Sequence, residues 1–205
     1  MNITILDYGV GNIGSVHNAL KHLGYSTHIT SNPGDIDRSR VLVVPGQGAA
    51  GDAMAALQRH QLIQRLQSYI RSERPYIGIC LGFQLLFDHT DEDGGVNGLG
   101  IFSGQVKRLS GPNLKVPQMG WNELLVNHDP LGLTLGLNHP ITAYFANSYY
   151  ALPSDRSIIF TETDYGVRFA SAIQTQTVLG CQFHPEKSGQ VGLHLLREFL
   201  KKHAH

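Results

Sequence analysis

Pro75-Tyr76-Ile77-Gly78-Ile79-Cys80-Leu81-Gly82-Phe83-Gln84-Leu85-Leu86-Phe87 decides the fold of this chain. Tyr76 to Ile79 is a short apolar run after a proline, the pattern of a strand buried on both faces, and Leu81, Leu85 and Leu86 return at helical spacing. Between them sits one cysteine with a glycine two residues to either side. The glycines free both arms of the turn from side-chain clashes, so Cys80 can be held strained with its sulfur exposed. This is a strand-to-helix nucleophile elbow written G-x-C-x-G. A free thiol has a pKa of about 8.5, and the N–H groups and dipole of a following helix draw it toward thiolate. The N–H of Leu81 is then a natural oxyanion donor. A buried structural cysteine is the competing explanation, but core packing alone does not require the two glycines.

Working outward, Val41-Leu42-Val43-Val44 reads as a central parallel strand and runs into Pro45-Gly46-Gln47-Gly48. Open α/β sheets place ligands at such carboxyl ends. Gly46 and Gly48 let main-chain N–H groups turn inward toward an anion, a second oxyanion donor, with a phosphate cradle or a plain turn as alternatives. At the other end of the chain, Val178 to Phe183 reads as a strand leading into His184-Pro185-Glu186. The proline fixes the backbone between an imidazole and a carboxylate, and a carboxylate beside an imidazole sets its tautomer as a nucleophilic triad requires.

The remaining texture fits an α/β fold. An open, mostly parallel central sheet flanked by helices carries the elbow, and short, partly antiparallel strands are added in the second half. Ile3 to Leu6 and Ser26 to Thr30 read as strands, with a helix from Ile13 to Leu23 between them. Gly9-Val10-Gly11-Asn12-Ile13-Gly14 is formally a dinucleotide fingerprint, but the second strand ends in Ser31-Asn32-Pro33-Gly34 rather than the acidic residue that would bind a ribose. A glycine-rich turn is favoured. Asp88 to Gly98 reads as an acidic surface loop. Gln105–Leu109, Asn122–Val126, Ala143–Ala146 and Ser157–Thr161 read as short strands, Asn127–Pro140 stays unassigned, and Val191–Leu200 is an amphipathic helix.

The 205 residues fit one domain, 1–205. Sixteen basic residues balance sixteen acidic ones, so nothing points to a nucleic-acid or membrane surface. Two cysteines are too few for a disulfide framework and suit a reducing compartment. With no signal-like start and no apolar run of membrane length, a soluble cytoplasmic protein is expected.

Gly78 to Gln84 together with Gln182-Phe183-His184-Pro185-Glu186-Lys187-Ser188 resembles the class I, or triad, glutamine amidotransferases. Pro117-Gln118-Met119-Gly120-Trp121-Asn122, the opening Asp7-Tyr8-Gly9 to Asn12-Ile13, and Ser148-Tyr149-Tyr150 narrow the resemblance to the glutaminase subunits of imidazole glycerol phosphate synthases. It covers essentially the whole chain. It implies Cys80 as nucleophile, His184 as general base and acid, and Glu186 as the orienting carboxylate. Main-chain donors at Gln47 and Leu81 would form the oxyanion hole. Gln84, Ser148 and Tyr149 would bind substrate glutamine. Asn12, Trp121, Asn122 and Lys187, with Tyr149, would face a (βα)8-barrel cyclase subunit where ammonia leaves. No metal or organic cofactor is implied. Trp121 as an ordinary core aromatic and Lys187 as a solvated or capping lysine are the structural alternatives.

The chain departs from the family's usual pattern at Gln47, where valine is common, and at Gln118 and Asn147, where histidine is frequent. A paralogue feeding ammonia to a different synthase is therefore the alternative within the family. A stand-alone cysteine hydrolase or deglycase, and a noncatalytic nucleotide-binding module using the Gly9–Gly14 loop, are the alternatives outside it.

Overall fold

The computed structural model describes residues 3–203. In chain order it runs β1 (Ile3–Leu6), α1 (Ile13–His22), β2 (Thr27–Thr30), α2 (Pro33–Arg38), β3 (Val41–Gly46), α3 (Ala50–Arg59), α4 (Ile63–Arg71), β4 (Tyr76–Cys80) and α5 (Leu81–Gln84). There follow β5 (Phe87–Thr90), β6 (Val96–Asn97), β7 (Phe102–Arg108), β8 (Gln118–Glu123), β9 (Leu125–Val126) and β10 (Thr142–Asn147). The chain continues through β11 (Tyr149–Pro153), β12 (Ile159–Asp164), β13 (Arg168–Gln174) and β14 (Val178–Cys181) to α6 (Gly189–His203).

Five parallel strands in the order β2-β1-β3-β4-β14 form the core of the main sheet. β1, β3, β4 and β14 are buried along their whole length, as their unbroken apolar runs require. Alternation sorts their side chains: Ile3, Ile5, Val41 and Val43 pack with α1 and α6, whereas Leu42 and Val44 pack with α3 and α4 on the opposite face. Beyond β14 the same sheet turns antiparallel through β13, β11 and β7 and ends in β5 and β6. β8 and β10 form a separate two-stranded sheet. The expected α/β architecture, parallel first and partly antiparallel later, is therefore the one observed.

β14 joins the two halves. It lies parallel to β4 and antiparallel to β13, with Cys181 beside Ile79. The next residue, Gln182, follows into the end of the strand beside Cys80, and His184 comes two residues later.

Local readings differ from the structure in five places. The helix after the elbow stops at Gln84, because the carbonyls of Leu85 and Leu86 accept from Leu99, Ile101 and Phe102 instead of continuing the helix, and Phe87 pairs with Phe102. The expected acidic loop is a hairpin, β5 against β6, whose pairs His89–Asn97 and Thr90–Val96 flank a single turn at Glu92–Gly94. Asn122–Val126 is not one strand: Leu124 is buried and bonded to the Ile141 carbonyl, so β8 pairs with β10 while β9 pairs with β12. The Ser157–Thr161 strand begins only at Ile159, after a turn capped by Asp155. β13 was not anticipated, since Ala170, Ser171 and Ala172 carry little strand propensity; neighbours on both sides impose it. The unassigned Asn127–Pro140 segment folds around Asp129, whose carboxylate accepts from the N–H groups of Leu133 and Thr134 and buries Leu133.

Gly82 and Gly14 separate crowding from propensity. A Cβ at Gly82 would overlap the Val44 carbonyl, whereas one at Gly14, inside α1, meets nothing within 4 Å. Urea denaturation is expected to show Gly82→Ala destabilised by about 1–3 kcal/mol or more and Gly14→Ala stabilised by up to about 1 kcal/mol.

Candidate active site

Cys80 closes β4 with φ 53° and ψ −108°. A non-glycine residue in this region stores about 1–3 kcal/mol of strain, and the surrounding packing must enforce it. The enforcement is visible in three glycines. A Cβ at Gly78 would stand 2.7 Å from the Gly82 carbonyl oxygen, one at Gly46 would stand 2.6 Å from the Tyr8 hydroxyl, and Gly82 lies against Val44. The strand, the turn and the end of β3 therefore cross almost backbone to backbone. Cys80 is only 7% exposed, more buried than the sequence suggests, and opens into a pocket of about 300 Å³ lined also by Gln47, Gly48, Leu81 and Gln84. Helix α5 has a single turn, so it supplies N–H groups rather than the dipole of a long helix.

The pocket's other walls come from flanking strands. Register places Gly46 of β3 beside Cys80, so Gln47 and Gly48 continue past Cys80 toward Leu81. The Tyr8 hydroxyl donates to the Pro45 carbonyl at 3.0 Å and fixes that approach; burial, then the Cys80 charge, push its pKa well up. Ser148, Tyr149 and Asn147 line the pocket from the end of β10 and the start of β11, and Glu92 lines it from the hairpin turn. One Glu92 carboxylate oxygen accepts from the Ala50 N–H at 2.8 Å, and burial raises its pKa.

His184 and Glu186 are both buried, with Nδ1 and Oε1 2.9 Å apart. A carboxylate on Nδ1 directs the other nitrogen outward as the working atom. Among the described residues Nε2 has no hydrogen-bond partner. Burial opposes the protonated ring, but the Cys80 sulfur and the Glu186 carboxylate outweigh it and raise the His184 pKa to about 9. Ser188 locks the turn: its hydroxyl donates to the His184 carbonyl at 2.7 Å and accepts from the Tyr144 N–H at 2.9 Å, while the His184 N–H donates to the Tyr144 carbonyl.

Gln84 is committed to the protein through its amide nitrogen, which donates to the Tyr149 carbonyl at 3.0 Å and to Gln182 Oε1 at 2.9 Å. Only its carbonyl oxygen is left for a ligand. Gln182, fully buried, donates in turn to Cys80 Sγ at 3.8 Å.

The structure thus brings Cys80, His184, Glu186, Gln47, Gly48, Leu81, Gln84, Ser148 and Tyr149 to one site. The pocket wall itself includes neither His184 nor Glu186 nor four other predicted residues. Asn12 accepts from the Ser15 N–H as the cap of α1, and Asn122 accepts from Gln118. Lys187 follows Glu186 in the same turn. Trp121 is 56% exposed, which excludes a core role, and meets Tyr144 edge to face. Glu92, Gln182, Ser188 and Tyr8 are site residues that sequence reasoning did not single out. Gln182 and Ser188 flanked the His-Pro-Glu motif, but no spacing shows which atoms they touch. In the Gly9–Gly14 loop, Gly11 packs on the Gly46 backbone, so that one glycine serves the close approach to the end of β3.

The raised His184 pKa sets the sign of a pH effect. The folded protein holds this proton more tightly than the unfolded chain, so its stabilisation is complete below pH 6.5 and lost as pH rises through about 9. Urea midpoints across that window should show the wild type losing its advantage over His184→Asn as pH rises. In Cys80→Ala, which removes one of the raising groups, NMR titration should place the imidazole pKa lower than in the wild type.

The glutamine amidotransferase class-I family model matches residues 4–203. Over 202 residues the chain is 46% identical to the chloroplastic imidazole glycerol phosphate synthase hisHF of Arabidopsis thaliana, covering 97% of this chain and 34% of that protein. It is 44% identical over 201 residues to the imidazole glycerol phosphate synthase subunit HisH of Dehalococcoides mccartyi (strain CBDB1), covering 97% of this chain and 96% of that one. The chain thus spans about a third of the plant protein and nearly all of the bacterial subunit. Its fold is similar to that of PurLQS from Thermotoga maritima, with a TM-score of 0.77 at 17% identity, covering 98% of this chain and 97% of that one. With a cysteine elbow, a histidine–carboxylate pair and a family match along almost its entire length, the chain belongs to the class I glutamine amidotransferases.

Proposed function

We propose that residues 1–205 form one glutaminase domain that hydrolyses L-glutamine and passes the ammonia to a (βα)8-barrel cyclase subunit, as a cytoplasmic heterodimer. The cyclase would then make imidazole glycerol phosphate and aminoimidazole carboxamide ribonucleotide in histidine biosynthesis. The observation that carries this is a buried His184–Glu186 pair coupled to Cys80, which itself opens into the pocket, in a chain whose relatives are named as that synthase.

The reaction follows from the site. Cys80 thiolate attacks the side-chain amide carbon of glutamine, and main-chain donors at Leu81 and Gln47 hold the oxyanion. Protonated His184 gives its proton to the leaving ammonia through Nε2, while Glu186 holds Nδ1. The same nitrogen then takes a proton from the water that cleaves the thioester, releasing glutamate. The Gln84 carbonyl and the backbone around Ser148 and Tyr149 position the amino-acid end, and the Glu92 carboxylate is the pocket's counter-charge for its ammonium group.

Ammonia exits toward the face bearing Asn12, Asn122, Lys187 and Trp121. Met119, 64% exposed, stands beside Trp121 on β8, and large apolar side chains left in water are what a partner surface covers.

Glutamine hydrolysis by the chain alone, and with a histidine-pathway cyclase subunit plus its nucleotide ligand, tests the assignment. Low activity alone, stimulation by the ligand-bound cyclase and a loss of at least about 10³-fold in Cys80→Ala are expected. Full activity alone, or restoration only by another synthase, would overturn the pathway and leave the triad. Trp121→Ala should weaken cyclase binding at least about tenfold, as removal of an interface aromatic does, measurable by titration calorimetry.

A further inference from the structure

Gln182 touches the nucleophile, and its amide cannot turn either way. Gln84 Nε2 donates to Gln182 Oε1 at 2.9 Å and, with its other hydrogen, to the Tyr149 carbonyl at 3.0 Å. Because an amide nitrogen is donor only, the Gln182 oxygen must face Gln84. Its NH₂ group must therefore face the Cys80 sulfur, 3.8 Å away. The register explains the placement, since Cys181 pairs with Ile79 and Gln182 emerges beside Cys80. Gln182 is fully buried and Gln84 nearly so, so water competes little for these bonds.

We infer that Gln182 is a positioning residue that stabilises the Cys80 thiolate by an N–H···S hydrogen bond, its amide oriented by Gln84 and the Tyr149 carbonyl. The inference rests on Cys80 being the nucleophile. A donor to sulfur favours the charged over the neutral thiol and lowers its pKa. It is a neutral donor, distinct from the charged His184, and it persists when His184 has given its proton to ammonia. The other titratable groups facing this sulfur are His184 with Glu186 behind it, Tyr8 from the loop after β1, and Glu92 across the pocket. The chain of amides also ties the nucleophile to Tyr149 in the substrate wall, so movement of that wall alters the donor to sulfur.

The test is the pH dependence of iodoacetamide alkylation at Cys80 in the full chain, read by mass spectrometry of the Cys80 peptide, with Cys80→Ala as blank. Cys181 is fully buried and burial pushes its thiol well up, so it does not contribute. Gln182→Met keeps the length and removes the donor. Gln182→Glu keeps an acceptor for Gln84 but presents oxygen to the sulfur. Both should move the alkylation midpoint up by about one pH unit, which is about tenfold slower alkylation below the midpoint. A folded Gln182→Met with an unchanged midpoint would overturn the inference, and Gln182→Glu decides it in the same way should the methionine variant fail to fold. A wild-type midpoint no lower than that of a free thiol would instead overturn Cys80 as an activated nucleophile.

Discussion

The left-handed backbone of Cys80 is the constraint from which the site follows. β4 must reverse into α5 while the end of β3 passes within contact of the turn, and only glycine fits at positions 46, 78 and 82. The strain of about 1–3 kcal/mol at φ 53° is held by the buried strands on either side. The same crossing sets Gln47 and Gly48 in one pocket with Cys80 and Leu81, so all four are placed by one packing event.

His184 is placed from the other side. β14 runs parallel to β4, so its carboxyl end delivers Gln182 and then His184 to the elbow. What keeps His184 there is local bonding: Glu186 on Nδ1 and Ser188 clamping its carbonyl to the Tyr144 strand. The Cys80 sulfur and the Glu186 carboxylate then outweigh burial and raise the His184 pKa to about 9.

β14 also marks where parallel architecture becomes antiparallel. The second half contributes the pocket wall at Asn147–Tyr149 and the separate β8–β10 pair that holds Trp121 outward. Cys80 and the exposed Trp121 are thus carried on different sheets of one chain.

Much of this was legible in the residues. Four apolar runs read as buried strands because parallel strands are covered on both faces, and G-x-C-x-G and His-Pro-Glu could be read as elbow and pair because their spacing is fixed within a few bonds. The β5–β6 hairpin and β13 were not legible, since acidic or small-residue segments become strands only through the backbone partners offered to them. Whether Trp121 packed inside or faced water was equally open until β8 paired with β10. The sequence by itself determined the Cys80 turn and the His184–Glu186 contact, because local spacing dictates both. Only the tertiary structure decided that Gln182, Ser188, Glu92 and Tyr8 meet at the same site, because strand register and long-range hydrogen bonds, not neighbours in the chain, bring them there.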